Sequence, residues 1–255
     1  LLRVVGDSLR RITASEGDWW QSEVIGPRMK AGMTIDEAIN PDFTDQITEL
    51  AEQTVVAIYH AQQAHAWTRN ILDGFEQSLV EAGLHSRLER PPAMCFLDIT
   101  GYTRLTQERG DAAAAELAEE LARLVQRTSA KYGGRPVKWL GDGVMFWFRD
   151  PGPGVVAALE MVEGVSAAGL PPAHVGLHAG PVVFQEGDYY GQTVNLASRI
   201  AEYARPGEVL VSQAVIDASP DVEASFTGIG PVELKGVAVA MQLHAAHRPQ
   251  ETSKS

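Results

Sequence analysis

Cysteine is nearly absent from this chain of 255 residues. The single one, Cys95, excludes an intrachain disulfide framework and fits a reducing compartment, so a cytoplasmic location is expected. It lies inside the apolar run Ala93-Met94-Cys95-Phe96-Leu97, where a buried and inert thiol is expected rather than a nucleophile. Positive charge is also scarce. Against 33 Asp and Glu there are only 21 Lys and Arg, a net charge of -12. That balance excludes a broad nucleic-acid-binding surface and docking on an anionic membrane. A polyanionic substrate would then need metal ions and a few well-placed cations. No run reaches the roughly 18 apolar residues of a membrane span, and no signal peptide is visible. A starting methionine is missing as well. Leu1-Leu2-Arg3-Val4-Val5 already has helical spacing and reads as the interior of a longer protein.

What is present falls into zones of different texture. Leu1, Val5, Leu9 and Ile12 recur at helical spacing, Trp19-Trp20 follow, and Gly26-Pro27 predicts a break. Thr34-Ile35-Asp36-Glu37 has the pattern of a capping box, with Pro41 ending that short helix. A long helix is expected from about 45 to 82, with an apolar stripe of Ile47, Leu50, Ala51, Val55 and Ile58 continued by Ile71, Leu72, Phe75 and Leu79. Gly83 is its expected stop. His60, His65 and His85 do not share one helix face at metal-ligand spacing and read as solvated or interface histidines. A pH-responsive role is a hypothesis only.

After Pro91-Pro92 the period changes. A strand over 93–97 leads to a helix over 112–131, then a hairpin over 136–140 and 144–148. A helix over 151–168, a strand over 174–184, a helix over 194–204 and a strand over 209–212 follow. This β-α-β-β-α-β order predicts an α+β, ferredoxin-like antiparallel sheet with two helices on one face. The expected organisation is a helical region over 1–90, a catalytic domain over 91–246 and a disordered tail over 247–255.

Two carboxylates are hard to explain as packing. Asp98 ends the first apolar strand, and Asp142 sits at the tip of Lys138-Trp139-Leu140-Gly141-Asp142-Gly143. Acids at strand ends beside glycine suit hard cations that hold a polyphosphate. Taken singly, each also fits a helix cap or a turn.

Three segments decide between these readings: Phe96-Leu97-Asp98-Ile99-Thr100-Gly101-Tyr102-Thr103, then Lys138–Asp142, then Asp188-Tyr189-Tyr190-Gly191-Gln192-Thr193-Val194-Asn195-Leu196-Ala197-Ser198-Arg199. In this order they closely resemble the class III nucleotidyl cyclases, the adenylyl and guanylyl cyclase family, over about residues 91–246. The trailing Gly230-Pro231-Val232-Glu233-Leu234-Lys235-Gly236-Val237 resembles that family's C-terminal strand motif.

The resemblance implies an adenylate cyclase. Asp98, Asp142 and the Ile99 carbonyl match metal ligands for two Mg2+ or Mn2+ per site. Lys138 and Asp188 match the base-reading positions, and a lysine donor with an aspartate acceptor complements adenine, so ATP is the expected substrate. Asn195 and Arg199 match the residues that orient ribose and stabilise the transition state. Lys235 matches a lysine that touches the terminal phosphates, and the Gly101-Tyr102-Thr103 turn matches a phosphate-binding backbone. In the family the metal aspartates of one subunit face the other residues on its partner, which implies a homodimer. Less specifically, the helical region resembles regulatory segments of actinobacterial cyclases, which implies a small-molecule or lipid regulator there. One departure is the short stretch Gly180–Asp188, which lacks the phosphate-binding arginine of longer relatives. The alternative is a non-catalytic, cyclase-like nucleotide sensor. A diguanylate cyclase is disfavoured because its hairpin signature is absent.

Overall fold

The expected break at Gly26-Pro27 does not interrupt the helix. In the computed structural model, which describes residues 2–81 and 90–249, α1 (Leu2–Trp19) passes through a π-helical turn (Trp20–Ile25) into α2 (Gly26–Lys30). The proline falls in the first turn of α2, where its missing N–H leaves no bond unmade. The wider turn ahead of it keeps the backbone paired, with the Gly26 amide donating to the Gln21 carbonyl. Thr34 caps α3 (Ile35–Ala38) as its spacing predicts. The Thr34 amide donates to the Glu37 carboxylate at 2.8 Å, and the Glu37 amide donates back to the Thr34 hydroxyl. Those bonds hold the Glu37 carboxyl below its ordinary pKa. Pro41 starts the next helix rather than only ending this one: α4 runs Pro41–Glu81. Leu50, Val56, Ile58 and Tyr59 lie exposed along it. The side chains of His65, Ile71, Leu72, Phe75 and Leu79 lie outside the described residues, as do Gly83, His85 and the tail from 250.

The chain divides into two units, Leu1–Leu88 and Glu89–Ser255. The second contains β1 (Ala93–Ile99), α5 (Tyr102–Lys131), β2 (Gly134–Leu140), β3 (Gly143–Phe148), α6 (Pro151–Ala167), β4 (Ala173–Ala179), β5 (Val183–Gln185), β6 (Asp188–Tyr190), α7 (Gln192–Tyr203), β7 (Val209–Ser212), α8 (Gln213–Asp217), β8 (Ser225–Val232) and β9 (Met241–His247). Seven strands form one sheet in the order β2-β3-β1-β4-β7-β9-β8. Its first four are the expected ferredoxin-like arrangement, extended by β7, parallel to β4, and by the β8–β9 hairpin.

Both faces of β1 are covered, which is why it reads as a continuous apolar run. Ala93, Cys95 and Leu97 face the larger core with Phe146, Phe148, Val125 and Met161. Met94 and Phe96 face the other side with Met145, Tyr189, Ala197 and Ala201. The expectation of helices on one face is therefore incomplete: α5 and α6 cover one face, and α7 covers the other. Cys95 is buried, and burial pushes its thiol pKa well up, so it acts as a small apolar filler.

Three local differences matter for the site. The helix expected from 112 begins ten residues earlier, at Tyr102, and bends at Gly110, whose φ of 80° only glycine adopts readily. The strand expected to reach 184 stops at Ala179. The separate β5–β6 hairpin follows, closed by Glu186 and Gly187, both at positive φ. Finally, α7 approaches β4 where Gly176 offers no side chain: a Cβ there would lie 2.1 Å from the Ala201 amide nitrogen. Gly176→Ala is expected to lower stability by about 1–3 kcal/mol or more, because backbone must move to admit the methyl group. Thermal melts check the loss.

Candidate active site

The register of the sheet brings the two aspartates together. β1 pairs with β3 only as far as Leu97↔Val144, so Asp98 projects just beyond the β2–β3 turn. Gly141, at φ 73°, makes that turn. Gly143 leaves room for the acid pair, since a Cβ there would meet the Asp98 Oδ1 at 3.0 Å. Asp98 is half-buried, and its pKa is raised first by burial and then by the charge of Asp142. A hydrogen bond that protonated Asp98 would donate to Asp142 raises it further.

Two like charges held this close are disfavoured in the protein alone and favoured by a cation. Among the described residues there is no group of three or more His, Cys, Asp and Glu side chains able to hold a metal. Two carboxylates and the Ile99 carbonyl are an all-oxygen set that needs substrate oxygens to complete it. That is the usual way Mg2+ is held, so these residues fit hard divalent ions.

His174 was not expected here. It lies opposite Asp98 in the β1–β4 register, with its Nε2 3.6 Å from the Asp98 Oδ2 and its Nδ1 3.2 Å from the Thr100 hydroxyl. When protonated, it opposes the upward shift of Asp98. Only strand pairing could reveal it: His174 lies 76 positions after Asp98, and no local motif marks it. On the other side of the aspartates a groove of about 240 Å³ is lined by Tyr102, Leu121, Trp139, Gly141 and Asp142.

Lys138 and Asp188 also meet. The β2 strand bulges between Pro136 and Lys138, which sets Lys138 opposite Met145 on the α7 side of the sheet. Its Nζ donates to the Asp188 Oδ2, and the Tyr189 amide donates to Oδ1 at 2.8 Å. Asp188 is the first residue of β6, not a residue of the turn that precedes it. Both partners of the pair are partly exposed, so its net worth is about 0–1 kcal/mol, and a base could open it at little cost.

Asn195 and Arg199 lie four apart on α7. Arg199 reaches both carboxylate oxygens of Glu202 at 2.6 Å, an exposed pair that is equally cheap to exchange for a phosphate. Gly101 begins α5 at φ 79° with no side-chain cap, which leaves the first helical turn to accept an anion. The Thr103 side chain lies outside the described residues. Lys235 is exposed at the tip of the β8–β9 connection, in a turn closed by the Val237 amide donating to the Leu234 carbonyl at 3.0 Å. Among the described residues, no ion pair or hydrogen bond joins Asp98 and Asp142 to Lys138, Asp188, Asn195, Arg199 or Lys235.

Comparison with known proteins bears on the family and the fold. A sequence profile of the family described as Adenylate and Guanylate cyclase catalytic domain matches residues 88–247. Rv2212 of Mycobacterium tuberculosis, described as an uncharacterized protein, is 30% identical over 263 residues, covering 98% of this chain and 65% of its own length. An adenylate cyclase of Streptomyces coelicolor is 34% identical over 184 residues, covering 72% of this chain and 46% of its own. The chain thus spans less than two thirds of the length of these relatives. The crystal structure of the adenylyl cyclase CyaB from P. aeruginosa shares the fold, with a TM-score of 0.54 and 24% identity over 63% of this chain and 95% of that one. No described helix is long and apolar enough to cross a membrane.

Proposed function

The chain belongs to the family of adenylate and guanylate cyclase catalytic domains, and from that premise we propose that it is an adenylate cyclase, forming 3',5'-cyclic AMP and pyrophosphate from ATP. The observation that carries adenine over guanine is the Lys138–Asp188 pair. Lysine is a donor only and carboxylate an acceptor only. Lys138 can therefore serve the adenine N1 acceptor while Asp188 receives the N6 amino protons. Guanine presents a protonated N1 and a carbonyl O6 at the corresponding edge, so the same pair would meet it with the wrong polarity.

Asp98, Asp142 and the Ile99 carbonyl are the groups that would hold two Mg2+ or Mn2+ ions. When bound, such ions supply Lewis-acid charge to the phosphate oxygens and acidify the ribose 3'-hydroxyl. The chain's own side chains supply position and complementary charge. Asn195 orients the ribose so that its 3'-oxygen faces the α-phosphorus in line with the departing pyrophosphate. Arg199, permanently cationic and forked, meets the charge that grows on the α-phosphoryl oxygens. Lys235 and the backbone of Gly101, Tyr102 and Thr103 hold the terminal phosphates. The short β5–β6 hairpin adds no arginine, so phosphate binding rests on these groups.

The site is completed across a homodimer in this reading. Support comes from the exposure of Trp139 and Leu140 beside Asp142. The exposed apolar residues of α4 support a second contact between copies through the helical unit, since such a stripe needs a cover. The test is direct. The purified protein, given ATP and Mn2+, is expected to release cyclic AMP and pyrophosphate in equal amounts and to use GTP poorly. No product from a folded dimer would overturn the reading.

A further inference from the structure

Arg135 sits where the mechanism gives it no task. It lies on β2 opposite Trp147, three residues before Lys138. In a regular strand two residues three apart point to opposite faces. The bulge between Pro136 and Lys138 cancels that: Arg135 pairs with Trp147 and Lys138 with Met145, two residues apart on β3 and therefore on one face. Both long cations thus project toward the β5–β6 hairpin.

The Arg135 guanidinium lies 5.3 Å from the ring centre of Trp147, 5.6 Å from that of Tyr189 and 5.7 Å from that of Phe184. One of its terminal nitrogens donates to the Tyr189 hydroxyl. Tyr189 stacks on Trp147 with centroids 6.0 Å apart and planes 7° from parallel, and Phe184 packs at 4.9 Å on it. Among the described residues Arg135 has no carboxylate partner, so the aromatic rings and the phenol are what hold its charge.

The hairpin that these contacts hold has three residues in each strand. A two-stranded ribbon this short has no stability of its own, so its place is set by what fastens it to the sheet. Tyr189 is the buried fastening, while Val183 and Phe184 stay exposed. Tyr189 is also the residue next to Asp188, and its amide fixes one Asp188 oxygen.

We propose that Arg135 is a positioning residue for base selection: by clamping Tyr189 it holds the hairpin, and so Asp188, in register with Lys138 for adenine. The proposal rests on the base-reading role of Lys138 and Asp188. Arginine suits the task where lysine does not, because a flat guanidinium can lie among three rings and still direct an N–H at the phenol.

The test measures kcat and KM for ATP and for GTP, with Mn2+, on the full chain. Arg135→Ala is expected to lower the ATP-to-GTP ratio of kcat/KM by about tenfold, chiefly by raising KM for ATP, with kcat for ATP within about threefold. Arg135→Lys restores part of the ratio. Tyr189→Phe keeps the ring stack, loses the phenol, and lowers the ratio in the same direction. An unchanged ratio in Arg135→Ala overturns the proposal, as does an equal loss for both nucleotides, which would mean a general phosphate or folding role. If Arg135→Ala does not fold, Tyr189→Phe decides by the same criterion. Lys138→Ala separates the two layers: if it keeps the ATP preference, the base-reading role itself is wrong and the clamp falls with it. If Lys138→Ala loses the preference and the clamp variants do not, only the clamp fails.

Discussion

Asp142→Asn is expected to slow cyclic AMP formation by at least about 10³-fold, which is about 4 kcal/mol of barrier. The protein itself should melt no lower than the parent. The two halves of this expectation have one cause. Asp142 and Asp98 are in contact, and the Asp98 carboxyl is raised above its ordinary pKa of 3.8 by burial and then by the Asp142 charge. A carboxyl whose pKa is raised by folding contributes stability below its unfolded pKa and loses it as pH rises through the folded value. At neutral pH the pair therefore opposes folding. The amide removes the second cause of the shift and keeps the turn, where Asn is as acceptable as Asp.

The same pair should favour folding once divalent ions are present. An ion that binds the folded site and not the unfolded chain raises the melting temperature with its concentration. Titrating Mn2+ into the parent is expected to raise the melting temperature above the carboxylate window and to do less as pH falls into it, because protonated acids are poor ligands. Asp142→Asn should flatten that response. A variant that turns over ATP at the parental rate, or that keeps the full Mn2+ shift, would remove Asp142 from the metal site.

Much of this architecture was legible because it depends on local pattern. The change of period after Pro92 marks the sheet, and Thr34 with Glu37 marks a helix start that the structure shows bond for bond. What escaped depends on residues far apart in the chain. The helix from Tyr102 was hidden because Gly110 interrupts its pattern, yet a glycine at positive φ lets two helical pieces join across a bend. The β5–β6 hairpin was merged with β4, since the apolar residues on either side of Gly180-Pro181 read as one run. Placing α7 on the opposite face requires knowing that β1 is covered on both sides. The candidate site divides in the same way. Asp98 and Asp142 stand out as acids at strand ends, Lys138 and Asp188 are marked by the family resemblance alone, and the fold brings each pair into contact. His174 and Arg135 carry no local signature. One acts through strand register with Asp98, the other through a bulge that only pairing with β3 reveals.

The second large effect concerns which base enters. Exchanging Lys138 for Glu and Asp188 for Cys together is expected to move the ATP-to-GTP ratio of kcat/KM toward GTP by at least about 10²-fold. Lys138 now donates to Asp188, and adenine can take over both partners without reversing a dipole: N1 accepts where Asp188 accepted, and N6 donates where Lys138 donated. Guanine requires the reverse, with a protonated N1 and an amino group facing an acceptor. Glu at 138 supplies that acceptor. Cys at 188 removes a carboxylate that would repel O6 and leaves a weak S–H donor in its place. Each single change should use GTP less well than the double. Lys138→Glu alone sets two carboxylates against each other, and Asp188→Cys alone leaves the lysine without its acceptor. The expected outcome is therefore non-additive, with GTP use recovered only when both are exchanged. Initial rates with each nucleotide in the four proteins measure this. If ATP preference survives the double exchange, with the fold intact by thermal melt, then adenine is chosen elsewhere.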